Sequence, residues 1–119
     1  MGDDEEGSTT RGVSSRLLAT LDLGDEVEGL RGRALRLRHF TFEPGAVLGP
    51  VHSHEGRPGL VYVLSGTITD HRDGVATDYG PGRGWPEDRT TVHWLENRTD
   101  EPATEVSFDL VRLAPDGGD

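Results

Sequence analysis

Apolar and polar residues alternate along most of this chain in short runs. In "TEVSFDLV", Val106, Phe108 and Leu110 fall on one face of an extended segment, with Glu105, Ser107 and Asp109 on the other. Similar segments, rich in β-branched, leucine or aromatic residues, are "LLATLDLG", "ALRLRHFTF", "GLVYVLSGTIT" and "TTVHWLEN". Between them lies turn chemistry: Glu43-Pro44-Gly45, Asp73-Gly74, Gly80-Pro81-Gly82 and Asp100-Glu101-Pro102. Many short strands at this spacing predict an all-β sandwich or barrel. Only Ser14 to Leu23 reads equally well as a turn or two of helix or as an edge strand.

The 119 residues make one domain, large enough to bury roughly two-thirds of its unfolded surface. The polar leader "MGDDEEGSTTRG", residues 1–12, is expected to be disordered. A single barrel domain is expected over residues 13–114, with a flexible tail at 115–119. Cysteine is absent, which excludes disulfides and thiolate metal sites. No run approaches the roughly 20 apolar residues of a membrane helix, so a soluble, cytoplasmic protein without a membrane partner is expected. The net charge of −10 opposes phosphate backbones, and no nucleic-acid partner is expected. There is no phosphate-binding loop, dinucleotide fingerprint or nucleophile elbow.

The candidate chemistry starts with two of the five histidines, His52 and His54, one residue apart. On a strand they share a face, with Cα atoms about 7 Å apart. Two neutral imidazoles placed in this way suit a divalent transition metal, although such a pair is equally at home in a solvated loop. Ser53 between them points to the opposite face, which rules out a Ser-His nucleophile there. A third histidine, His93, lies in another β-like segment and is followed four residues later by Asn97.

This pattern resembles the cupin superfamily. Gly45, His52, His54 and Gly66 fall on the family's first motif, with six residues between Gly45 and His52 where five are usual. Gly82, His93 and Asn97 fall on the second, although its Pro-x-Gly turn is missing at Asp88 to Thr90 and Pro86 is the nearest proline. The resemblance spans about residues 34–112 and implies a six- to eight-stranded jelly-roll (double-stranded β-helix) barrel. It also implies a divalent metal on His52, His54 and His93. The family's glutamate ligand is replaced by Gly59, and the parity of Glu55 turns it away from the histidine face.

Three neutral ligands are also the iron site of the cupin thiol dioxygenases. The resemblance therefore implies first an iron(II) dioxygenase acting on a small chelating organic molecule; zinc, nickel and manganese are the alternative metals. A metal-dependent cyclase, isomerase or lyase, or a barrel that binds a small molecule without turnover, are the other readings. Glu87, six residues before His93, is the candidate fourth ligand or general acid/base. His39, His71 or water are further candidates for the fourth position. By parity with Leu35 and Leu37, His39 is expected inside the barrel as a hydrogen-bonded core histidine, and His71 on the surface. Tyr62 and Trp85 flank the motifs and are candidates for a pocket mouth. Arg36, Arg38 and Arg57 read as solvated, with neutralisation of an acidic substrate as the alternative. By resemblance the barrel is expected to pair as a homodimer.

Overall fold

A computed structural model describes residues 9–113. Most of the expected leader and all of the expected tail lie outside the described residues. Eight strands follow one another: β1 (Arg11–Asp22), β2 (Arg33–Ser53), β3 (Gly59–Ser65), β4 (Ile68–Arg72), β5 (Val75–Tyr79), β6 (Gly84–Glu87), β7 (Val92–Glu96) and β8 (Ala103–Arg112). All pair antiparallel, in the order β5-β4-β7-β2-β8-β3-β6, with β1 added to β2. No helix forms among the described residues, and the sheet rolls into the nearly closed barrel of a jelly roll.

The 21-residue β2 joins the two halves of the barrel. Its first half, Arg33 to Phe42, pairs with β8 and with β1; its second half, Val47 to Ser53, pairs with β7. The segment Ser14–Leu23, open between helix and strand in the sequence, is strand up to Asp22. It has no interior to face, since Leu17, Leu18 and Leu21 are all exposed. With no buried stripe to favour a helix, the open edge of β2 decides its conformation.

Register arranges the interior in layers. Phe42 lies opposite Ala103 at the floor; Phe40 and Val63 then flank Glu105; Arg38 and Val61 flank Ser107; Arg36 and Gly59 flank Asp109. On β6, Trp85 lies across from Val61 and Glu87 across from Gly59. The floor is apolar, built from Phe40, Phe42, Val63, Ile68, Trp85 and Leu95 among others. The upper layers are polar.

Two side-chain rows run opposite to simple expectation. On β8 it is the polar row, Glu105, Ser107 and Asp109, that is buried, while Phe108 is 40% exposed. On β2, His39 does not face the interior. It pairs with Arg16 of β1 and lies in an outer groove with Ser14, Ser15 and Thr41. The apolar positions of "LRLRHFTF" change parity between Leu37 and Phe40, and the bulkier Phe40 and Phe42 take the interior. Arg36 and Arg38 share their parity and follow them inward.

Two motif residues are structural. Gly66 has φ +72, and a Cβ there would lie 2.4 Å from the Pro102 carbonyl oxygen. Asn97 is fully buried; its Nδ2 donates to the carbonyls of Phe42 and Glu101, and its Oδ1 accepts from Thr99. Asn97→Ala leaves those groups without partners, and should lower the unfolding free energy by about 3 kcal/mol in urea titration. A loss under about 1 kcal/mol would show that the side chain does not hold this corner.

Candidate metal centre

His52, His54 and His93 come together at the end of β2 and on β7. His52 lies directly across from His93 in the β2–β7 pairing, beyond an irregularity between Leu48 and His52. Such a bulge re-aims the side chains that follow it. The strand ends at Ser53, and the amide of His54 donates to the Thr91 carbonyl, keeping its ring beside the other two. Ring centroids lie 4.8 to 5.1 Å apart, close to an equilateral triangle. One nitrogen from each ring lies within 4.8 Å of the others.

Each ring is oriented through Nδ1. His52 Nδ1–H donates to the Pro50 carbonyl at 2.9 Å, and His54 Nδ1–H to the Arg57 carbonyl at 3.3 Å. His93 Nδ1–H donates to Asp70 at 2.8 Å. Asp70 is itself buried and accepts from Arg72 Nε at 2.6 Å. Those partners are acceptors only, so each ring keeps its Nε2 lone pair bare, the arrangement that prepares a histidine for a metal.

The consequence lies between His54 and His93, whose Nε2 atoms are 3.1 Å apart. Two lone pairs at that distance repel unless a cation lies between them. Two metal–nitrogen bonds of about 2.1 Å, set at tetrahedral or octahedral angles, span about 3.0 to 3.4 Å. The His54–His93 pair therefore fits two ligand positions of a divalent transition metal. Imidazole nitrogen suits zinc, iron, nickel and copper alike, so the ligands alone do not choose among them.

Glu87 completes the group. It is 5% exposed, with Oε1 3.5 Å from His54 Nε2 and Oε2 3.4 Å from His93 Nε2. The indole N–H of Trp85 donates to Oε2 at 3.0 Å. Gly59 lies across from Glu87 in the β3–β6 pairing, and a Cβ at Gly59 would meet the Phe108 carbonyl oxygen at 2.6 Å. Where the resemblance puts a carboxylate on β3, this barrel brings one in from β6. Glu55 is exposed, as its parity predicts.

Other candidates fall elsewhere. His71 is half-buried away from the cluster, stacked on Trp94 at 3.8 Å and bonded to Glu96. His39 lies in the outer groove. Tyr62 is 49% exposed on the outer face, and Trp85 is in the core, so neither forms the mouth of the histidine pocket. Arg36, Arg38 and Arg57 are not solvated strand arginines: they line the pocket with the histidines and Glu87. Asp70, Glu105 and Asp109 went unsuspected. The only trace of them in the sequence is an acidic residue on the interior parity of a strand.

Burial pushes Glu87 above the ordinary glutamate range, against the pull of the Trp85 hydrogen bond. Burial likewise lowers His52, and lowers His54 to about 4, with the Arg57 charge adding to the effect. Neutral imidazoles beside a carboxyl that holds its proton more readily can bind a cation and exchange a proton in one enclosed space.

The sequence matches the Cupin domain family over residues 38–108, and the chain belongs to that family. No curated protein matches it. The fold is similar to the cupin domain of an XRE-family transcriptional regulator from Enterobacter cloacae, at TM-score 0.65 and 17% identity, covering 83% of this chain and 96% of that one. It is similar to the polyketide cyclase RemF from Streptomyces resistomycificus, at TM-score 0.69 and 20% identity, covering 92% and 71%. It is similar also to a sugar phosphate isomerase from Silicibacter pomeroyi, at TM-score 0.60 and 21% identity, covering 82% and 70%. Among the described residues no helix is long and apolar enough to cross a membrane.

The lowered His54 value makes the metal-free protein acid-sensitive. Unfolded, this ring takes up a proton near pH 6.5; folded, only near 4. The unfolded chain binds the proton first as pH falls, so stability drops between those values, by about 3 kcal/mol at pH 4. Urea unfolding of metal-stripped protein at pH 7 and pH 4, compared with His54→Asn, measures this. The variant should lose correspondingly less, and equal losses would mean that His54 is not the group responsible.

Proposed function

We propose that this cupin is a metal-dependent enzyme that moves a proton on a small organic substrate, in the isomerase, cyclase or lyase class. The observation that carries this reading is Glu87: a buried carboxyl within 3.5 Å of two of the three rings, with a raised proton affinity. His52, His54 and His93 hold the metal. When bound, the metal supplies Lewis-acid polarisation of a substrate oxygen. Asp70, backed by Arg72, fixes the tautomer of His93. Trp85 orients Glu87, which takes a proton from the substrate and returns it at a second position. The apolar floor closes the site from below and limits the entry of water.

A second reading, the iron(II) dioxygenase, is favoured by one observation: the cluster is three histidines and no carboxylate stands on β3, where Gly59 lies. Metal content decides between them. Protein purified without added metal should carry about one equivalent of divalent metal, lost in the double variant His52→Ala, His54→Ala. Zinc with no oxygen uptake supports proton transfer, iron with oxygen uptake supports the dioxygenase, and no metal in the wild type overturns both. In heavy water, the zinc-loaded protein should exchange C–H for C–D in a panel of small hydroxy and oxo acids. Glu87→Gln should keep its metal and slow exchange by about a hundredfold or more.

For the quaternary state we propose a homodimer through the outer face of β3, β6 and β8. Leu60, Tyr62, Pro86, Val106 and Phe108 form an uncharged groove there, with Leu60 57% exposed. A chain of net charge −10 repels its copies except through such a patch, and a two-fold axis sets the patch on itself. Light scattering should give twice the chain mass, and the chain mass for Leu60→Asp with Phe108→Asp. A monomeric wild type would overturn the assignment.

A further inference from the structure

In the wall of the pocket beside the histidines, three guanidinium groups converge on one carboxylate. Arg36 donates to Asp109 from Nε at 3.0 Å and from Nη2 at 2.8 Å, and Arg57 Nη1 donates to the same carboxylate at 2.8 Å. Arg38 Nη2 lies 3.5 Å from it. Burial works against the Asp109 charge, yet the bonds from Arg36 and Arg57 hold it below the usual aspartate range. One carboxylate thus answers three guanidinium groups.

In the two layers below, two polar atoms are left over. Arg38 Nε and Glu105 Oε1 are buried and have no hydrogen-bond partner among the described residues. Glu105 is 2% exposed, and both residues line the cavity that holds the histidines and Glu87. Arg38 lies over the Phe40 ring at 4.8 Å, which holds its guanidinium plane at the wall. Buried polar atoms are almost always bonded, so two orphans on residues that line one cavity point to a ligand's polar groups there. The cavity measures about 320 Å³, room for roughly ten water volumes.

We propose that this wall recognises a small hydroxylated carboxylate. Its carboxylate accepts from Arg38 Nε–H within the field of Arg36 and Arg57, and its hydroxyl bonds Glu105 Oε1. The inference names the substrate class of the site described above and rests on that reading for the use of the pocket. The binding wall itself consists of residues other than the histidines.

Calorimetry on the metal-stripped full chain therefore tests it separately. Malate, its neutral diamide and succinate are the probes. Malate should bind about tenfold more tightly than the diamide, and severalfold more tightly than succinate, which lacks the hydroxyl. Arg38→Gln should remove the preference over the diamide, and Glu105→Leu the preference over succinate. Circular dichroism checks folding, and if Arg38→Gln does not fold, the half-exposed Arg57→Gln should weaken the charge preference in its place. Equal binding of malate and the diamide, no binding of either, or a preference unchanged in the folded arginine variant overturns the proposal. Any of those results leaves the metal reading standing. A wild type that selects malate but holds no metal keeps this inference and sinks the other.

Discussion

A pleated strand in a closed barrel must turn one face inward, and its two-residue period then fixes every other side chain along it. Here the fully buried Phe42, Val63 and Ala103 make that choice for β2, β3 and β8 together. With Phe42 inward, Phe40, Arg38 and Arg36 follow; with Ala103 inward, so do Glu105, Ser107 and Asp109. A slip of one residue would bury Leu35, Leu37 and Phe108 and turn the whole polar pocket out to solvent. The apolar floor therefore does more than contribute burial: it sets the register on which the chemistry depends.

An interior with this many ionisable groups holds together because most of them answer one another. Asp70 is bonded to both His93 and Arg72, and Asp109 to Arg36 and Arg57. Removing one partner from such a group costs more than the pair contributes, because it strands a buried charge. Glu87 and Glu105 meet burial differently, by holding their protons more tightly. The facing lone pairs of His54 and His93, the half-answered arginines and the two orphan atoms are the places where the protein does not satisfy itself. All lie around one cavity, and a core built only for stability would have no reason to gather them there.

Much of this was legible in the chain. The alternation and the Gly-Pro turns predicted strands, and the His52-x-His54 pair with His93 and Asn97 pointed to a cupin barrel and a candidate metal centre. Glu87 stood out as an acidic residue near the second motif. Other features carried no clear mark. His39 and Arg38 differ by one position in a stretch apolar at both parities, and only competition for interior volume separates them. Asp70 and Glu105 look like ordinary strand acids. The parity of β8 was visible, but nothing local says that its polar row is the buried one.

By itself the sequence determined what is local: extended segments, where they turn, and which residues share a face, because these follow from backbone period and turn chemistry a few residues at a time. Only the tertiary structure decided which face turned inward, that Glu87 lies across from Gly59, and that three arginines share one carboxylate. Those facts depend on register between strands far apart in the chain, and register is settled by how large side chains fill a closed space.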